Sequence, residues 1–319
     1  MLRHTHAHHS STRHDHGNFN TGLTCSLAAY IWWGLSPFYF HQLAGVPPLV
    51  TLAHRVVWSV ALLVILITAL RQWPDVKATC SRLSIWPWLL GSTALIAVNW
   101  GVYIYAVATD RVLQSSLGFF INPLVTVLLG LLFLGERMNR TQIAAATIAA
   151  AGLTYLTIVT GGLPWITIVL SLCFAVYGLL RKKAPVTPMT GVLIETAVLA
   201  PASLLYLLWA HSRPDATFNT PRLLLTLALA GVVTTVPMLW YIAAARRVPL
   251  VTLGFLQFLN PSIQFVSAIL LGERFGRERA IAFGIVWIAV ALFVADMIRR
   301  ARSNAHVPDR DMPAGEISD

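Results

Sequence analysis

Apolar residues in this chain gather in blocks of about 20, separated by short stretches that hold Pro, Gly and clustered Lys and Arg. A block of that length spans a hydrocarbon core of about 30 Å at the helical rise of 1.5 Å per residue. The breaks predict ten helices: 21–41, 49–70, 85–108, 113–134 and 141–160, then 163–180, 190–209, 222–245, 250–271 and 279–298. The fold class expected is therefore all-α, a polytopic membrane protein. A nine-helix variant that merges or drops one span is the alternative.

A repeat organises these spans. LGFFINP, beginning at Leu117, leads to LGER at 134–137, and LGFLQFLNP, beginning at Leu253, leads to LGER at 271–274. Each copy is one helix, a charged turn and the next helix. Five helices per half is an odd number, so the second copy enters the membrane from the opposite side and the halves are inverted repeats. Transporters use that symmetry because one plan then supplies two gates around a midplane site. The expected organisation is a disordered His-rich cytoplasmic tail over 1–20, five-helix repeats over 21–160 and 161–300, and a disordered tail over 301–319.

Composition agrees: 56% of residues are hydrophobic and 11% charged, against about 45–50% and 25% in soluble proteins. The net charge of +10 lies mostly in the connections between spans, where it sets orientation rather than binding nucleic acid. With Arg55 set aside as intramembrane, one side gathers sixteen Lys and Arg, among them Arg71, Lys77, Arg82, Arg181, Lys182, Lys183, Arg246 and Arg247. The other holds six: Arg111, Arg213, Arg222, Arg274, Arg277 and Arg279. The first side, carrying both termini, is expected in the cytoplasm, as for a protein of the bacterial inner membrane.

Cys25, Cys80 and Cys173 lie far apart with no CxxC or Cys/His zinc spacing, so neither a disulfide framework nor a structural metal is implied. The leader has no apolar run before a small-residue cleavage site, so it is not a secretory signal. Its His4, His6, His8, His9, His14 and His16 read as a soluble leader, with weak transition-metal binding as the alternative. Nucleotide-binding loops, GxSxG, HExxH and paired Asp-rich motifs are absent from the sequence. Neither an enzyme nor a cofactor is expected.

Polar residues inside spans carry the candidate chemistry, because an ionised side chain at the bilayer centre costs about 2.5–3.5 kcal/mol on insertion scales. Arg55 on the second helix and Glu195 on the seventh are expected to neutralise one another across the inverted axis. The alternatives are a structural ion pair, or Arg55 snorkelling to the headgroups near Pro48. On the ninth helix Gln257, Asn260, Gln264 and Ser267 share one face, and on the fourth Phe119, Asn122 and Thr126 do the same. Cavity lining is the functional reading of these faces, and interhelical packing the plainer one. Asn99 and Tyr103 stand one turn apart on the third helix, as do Tyr177 and Arg181 on the sixth. These residues, with Trp240 and Tyr241, suit an amphipathic or aromatic solute. Trp32, Trp33, Trp86 and Trp88 are assigned to an interfacial belt, Arg181 with Lys182 and Lys183 to the topology-setting cluster, with substrate gathering as the alternative, and Asp296 to a pair with Arg299 or Arg300.

At this point the motifs match a family. HRVVWS at 54–59, NWGVYIYAV at 99–107, SLGFFINPLV at 116–125, YGLLRKK at 177–183, TGVLIET at 190–196 and VTTVP at 233–237 together resemble the RarD group. That group lies in the EamA branch of the drug/metabolite transporter superfamily. The resemblance covers about 21–300 and departs from the group's pattern at Gln114, where an acid is usual, and at Asn260, where Gly precedes the proline. It implies ten helices in two EamA repeats, cytoplasmic termini and a transporter without a settled substrate.

The function expected is a secondary transporter, an exporter of a small metabolite or drug-like solute working by alternating access. Its partners are the lipid bilayer and the solute, driven either by the proton gradient, with protons as the coupling ion, or by the solute's own gradient, and it acts as a monomer or homodimer. The alternative is a membrane-embedded sensor or assembly partner. That role calls for a soluble domain or long loop, and no connection between spans exceeds about a dozen residues.

Overall fold

The computed structural model describes residues 7–305 apart from 110, 160, 215–217, 219 and 272–275. Those residues form helices α1 (Ala7–His41), α2 (Pro48–Ala69), α3 (Trp73–Cys80), α4 (Trp86–Ala108), α5 (Val112–Leu134) and α6 (Arg140–Val159). The second half adds α7 (Trp165–Lys183), α8 (Pro188–His211), α9 (Pro221–Ala245), α10 (Leu250–Gln257), α11 (Leu259–Leu270) and α12 (Arg277–Ala305). No strand occurs among the described residues.

Among the described residues nine segments are long and apolar enough to cross a membrane, α10 and α11 counting as one. The remaining long helix, α1, is more polar, with Thr21, Thr24, Ser26 and Ser36 along it; one side packs along α9 and α11, burying Ala29 and Tyr30, while Ile31 and Leu35 stay exposed.

Pro48, Pro188 and Pro221 occupy first-turn positions, where the missing N–H has no intrahelical partner to lose. Thr187 and Thr220 cap α8 and α9 by accepting from the backbone N–H of Thr190 and Leu223. Three expectations change. The polar leader, expected to be disordered through residue 20, is helical from Ala7 as the start of α1. A short helix, α3, fills the connection before α4. The ninth span, expected to be continuous over 250–271, is broken at Phe258. Pro261 has no N–H to offer the Gln257 carbonyl one turn back, which loosens the ladder at that point. The histidine side chains of the leader from His4 to His16, most of the second LGER turn, and the C-terminal tail beyond Ala305 lie outside the described residues.

The packing is two-fold in pattern. α1 lies against α9 and α11 while α7 lies against α4 and α5; α2 meets α9 as α8 meets α4; and α2–α8, α5–α10 and α6–α12 each join equivalent helices. Exchanging the halves reproduces the same map. Helices of one half touch one another sparingly, so the core forms between the halves. Small residues allow the close crossings: a Cβ on Gly231 of α9 would stand 2.5 Å from the Trp58 carbonyl carbon of α2, and one on Gly254 of α10 would stand 2.6 Å from the Pro123 carbonyl oxygen of α5.

Candidate functional site

Between the halves lies a cavity of about 800 Å³, within the range of about 300–1,000 Å³ typical of small-molecule sites. It begins at the 41–48 connection, with Val107 and Leu271 at the ends of α4 and α11, and reaches inward to Gln257. Of the residues read as candidates in the sequence, Arg55, Asn99, Tyr103, Phe119, Gln257, Asn260 and Gln264 line it. Asn122, Tyr177, Glu195 and Trp240 do not.

Arg55 is held from α2 two turns below Pro48. Its Nε donates to Thr234 Oγ1 of α9 at 2.9 Å. Its guanidinium carbon lies 5.2 Å from the centre of the Trp100 ring and 5.6 Å from that of Phe40, within cation–π range. The expected pairing with Glu195 is not made.

The amides stitch helices together around the cavity. Asn99 Nδ2 donates to the Leu170 carbonyl of α7 at 2.9 Å. Asn122 is buried behind the wall, its Oδ1 accepting from Gln257 Nε2 at 3.0 Å and from Thr126 Oγ1 at 3.1 Å. Gln264 Nε2 donates to the Trp33 carbonyl of α1 at 3.4 Å and, within α11, to Asn260 Oδ1 at 3.0 Å, and Ser267 Oγ donates to the Gly34 carbonyl of α1 at 3.1 Å. The ninth-span polar face thus serves both readings, cavity lining at Gln257, Asn260 and Gln264 and interhelical packing at Ser267.

Glu195 sits deeper, 3% exposed, in a closed polar cluster. Ser92 Oγ donates to Oε1 in a short hydrogen bond, Tyr177 OH donates to Oε2 at 3.0 Å, and Arg181 Nη1 lies 3.5 Å from Oε1. Arg181 is therefore a buried partner, not a topology residue at the membrane surface; it is 1% exposed, and its Nη2 also donates to the Pro188 carbonyl at 3.3 Å. Beside Glu195 a pocket no larger than about one water molecule is lined by Ser59 and Thr235, whose hydroxyls have no hydrogen-bond partner among the described residues. Trp100, Thr234 and Met238 border both this pocket and the large cavity, forming the wall between them.

Trp240 packs edge-to-face on Trp32 with ring centres 5.8 Å apart, outside the cavity. Trp33, assigned from sequence to an interfacial belt, instead lines the cavity with Phe40, Trp100 and Phe174. The tryptophan beside Asn99 and the phenylalanine one turn before Tyr177 were the available signals for the last two, since each shares its neighbourhood with a residue already singled out. Asp296 pairs with Arg299 at 3.3 Å and Arg300 at 3.0 Å, as its spacing predicts, and also accepts from Asn139 Nδ2 at 2.7 Å.

Opposite the cavity mouth is the basic face, closed by polar ties. Gly135, at φ +63°, turns the chain out of α5. Glu136 follows and accepts from the backbone N–H of Leu250 at 2.7 Å and of Val251 at 2.8 Å, a carboxylate placed at the positive end of α10. Lys183 donates to the Phe133 carbonyl at 3.3 Å, and Thr190 Oγ1 to Asp75 at 2.5 Å. Each of these bonds joins one half to the other. Within the second half Lys182 donates to the Ala245 and Val248 carbonyls at 2.9 and 2.5 Å.

Comparison with known proteins agrees with this architecture. The EamA-like transporter family matches residues 20–158 and again 161–295, one match per half. An uncharacterized transporter of Vibrio cholerae is 41% identical over 89% of this chain and 95% of its own. Protein RarD of Escherichia coli is 41% identical over 88% of this chain and 96% of its own. The chloramphenicol-sensitive protein RarD of Pseudomonas aeruginosa is 34% identical over 89% and 97%. A solved crystal structure, 18% identical, superposes with a TM-score of 0.63 over 86% of this chain and 96% of that one, a likeness of fold alone. The chain belongs to the EamA-like transporter family, with RarD proteins among its relatives, and is a multi-pass membrane transporter.

Proposed function

We propose that the protein is a secondary exporter of a small metabolite or drug-like solute across the bacterial inner membrane, working by alternating access with both termini in the cytoplasm. The observation that carries this reading is the cavity of about 800 Å³, built from both halves, open opposite the basic face and closed on it by Glu136, Lys183 and Asp75. An arrangement open on one side only is what a carrier presents at one end of its cycle. The Lys and Arg asymmetry supports assigning the closed face to the cytoplasm. The cavity is complete within one chain, so a monomer suffices.

Coupling to protons is assigned to Glu195. It is a carboxyl deep inside a span, and the small pocket beside it abuts the wall of the large cavity. Intramembrane carboxyls of this kind mark proton paths. In this reading the solute cavity and Glu195 are opened to opposite faces in turn.

Two measurements test the proposal. Comparing metabolites inside and outside cells with and without the gene identifies an exported solute. Uptake of that solute into inverted vesicles should then fall when the pH gradient is collapsed, and Glu195→Gln should make the remaining flux indifferent to the gradient. Unchanged metabolite profiles, with no flux in vesicles, would remove the transport reading in this form. Full flux without a pH gradient would remove proton coupling alone.

A further inference from the structure

Among the described residues the large cavity carries one permanently charged side chain, with His41 as the other base on its wall, and no acid there balances it. Among the described residues Arg55 is the only Lys or Arg lining the cavity, and no Asp or Glu lines it. Glu195, the acid that would be its natural counter-ion, is already engaged by Arg181, Ser92 and Tyr177. A guanidinium stays protonated at any physiological pH.

The surroundings of Arg55 restrict how it can be approached. Phe40 and Trp100 lie within cation–π range of the guanidinium, and Thr234 takes the Nε hydrogen. The two Nη groups remain, a planar fork of N–H donors whose spacing matches the two oxygens of a carboxylate. Beyond the fork the cavity wall is aromatic, with Trp33, Tyr103, Phe119 and Phe174, surfaces that favour a flat apolar body.

Resting on the transporter reading above, we infer that the solute is an organic monocarboxylate with an aromatic or apolar body, its carboxylate seated on the Nη edge of Arg55. A carboxylate brings one negative charge and meets one arginine. A phosphate monoester brings nearly two at neutral pH, more than a single guanidinium balances.

The test uses the full chain, purified in detergent, and two matched pairs of probes: phenylacetate with phenylacetamide, and indole-3-acetate with indole-3-acetamide. Each pair keeps size and shape and differs in charge. Binding is read from ligand-dependent thermal stabilisation. At least one acid is expected to bind ten-fold or more tightly than its amide. Arg55→Gln should erase that preference, while Arg55→Lys, which keeps the charge and not the fork, should retain part of it and show that the site remains folded.

Equal behaviour of acid and amide in both pairs, including no stabilisation by either, overturns the inference, as does a preference that survives in Arg55→Gln. Phenyl phosphate binding more tightly than phenylacetate overturns the restriction to one negative charge. Reconstituted vesicles separate this inference from the transporter reading. An acid that binds through Arg55 but is never moved leaves the site standing and removes transport. An amide moved as fast as its acid leaves transport standing and removes the role of Arg55.

Discussion

Arg55 and Glu195 occupy the same place in the two halves: each lies two turns into its helix from the proline that starts it, Pro48 in α2 and Pro188 in α8. α2 and α8 pack against one another as equivalents, but the halves run in opposite senses. The two charges therefore lie at matching depths measured from opposite ends of the bundle. In this conformation Arg55 faces the open cavity and Glu195 is shut in by Ser92, Tyr177 and Arg181.

The Glu195–Arg181 pair makes a stability prediction. Removing one member of a buried ion pair leaves the other uncompensated and costs about 3–5 kcal/mol. Glu195→Gln and Arg181→Leu should each lower the melting temperature in detergent, and the double variant should recover much of either loss. Additive losses in the double variant would mean that the two side chains do not depend on one another.

The Asn122–Gln257 bond joins α5 to α10 behind the cavity. Interhelical amide bonds in membranes average about 0.6 kcal/mol, so Gln257→Leu should barely move the melting temperature. Because Gln257 also lines the cavity, the same substitution should alter solute flux several-fold. Wild-type flux from Gln257→Leu would reduce this amide to packing.

Gly231 and Gly101 make a matched pair. A Cβ at Gly231 meets the Trp58 backbone, while at Gly101 nothing stands within 4 Å. Gly231→Ala should destabilise by about 1–3 kcal/mol through overpacking, and Gly101→Ala should be neutral or gain up to about 1 kcal/mol from helix propensity. Thermal unfolding of both variants checks the α2–α9 crossing directly.

Cys80 is exposed on the basic face, and Gln42 is exposed on the 41–48 connection at the cavity mouth. A membrane-impermeant maleimide applied to intact cells should label Gln42→Cys and spare Cys80, and lysis should make Cys80 reactive. Labelling of Cys80 in intact cells would reverse the proposed orientation.

Much of the fold was legible because lipid enforces a simple grammar. Each span must be long and apolar, and Pro and Gly mark its ends, so most predicted boundaries fall within a few residues of α2, α4, α5, α6 and α9. The break at Phe258 was harder to read, because Pro123 sits in an equivalent motif of α5 without interrupting the helix. The site was legible in its amides, and Asn99, Gln257, Asn260 and Gln264 line one cavity with Arg55, Tyr103 and Phe119. The charges were misassigned for a geometric reason: an inverted repeat makes Arg55 and Glu195 counterparts, and counterparts at equal depth from opposite faces are held apart. Arg181 looked like a headgroup anchor because two lysines follow it, yet one residue's rotation around a helix turns it from lipid headgroups to the interior.

The interlocking of the halves has a consequence for biogenesis. Asn99 finds its partner on α7, Asn122 finds Gln257 on α10, and Glu136 finds the start of α10. While the ribosome is still making the second half, the first five helices must wait in the bilayer with these groups unmatched. The nascent protein therefore behaves like the first subunit of an obligate pair, tethered to a sister that has yet to be translated.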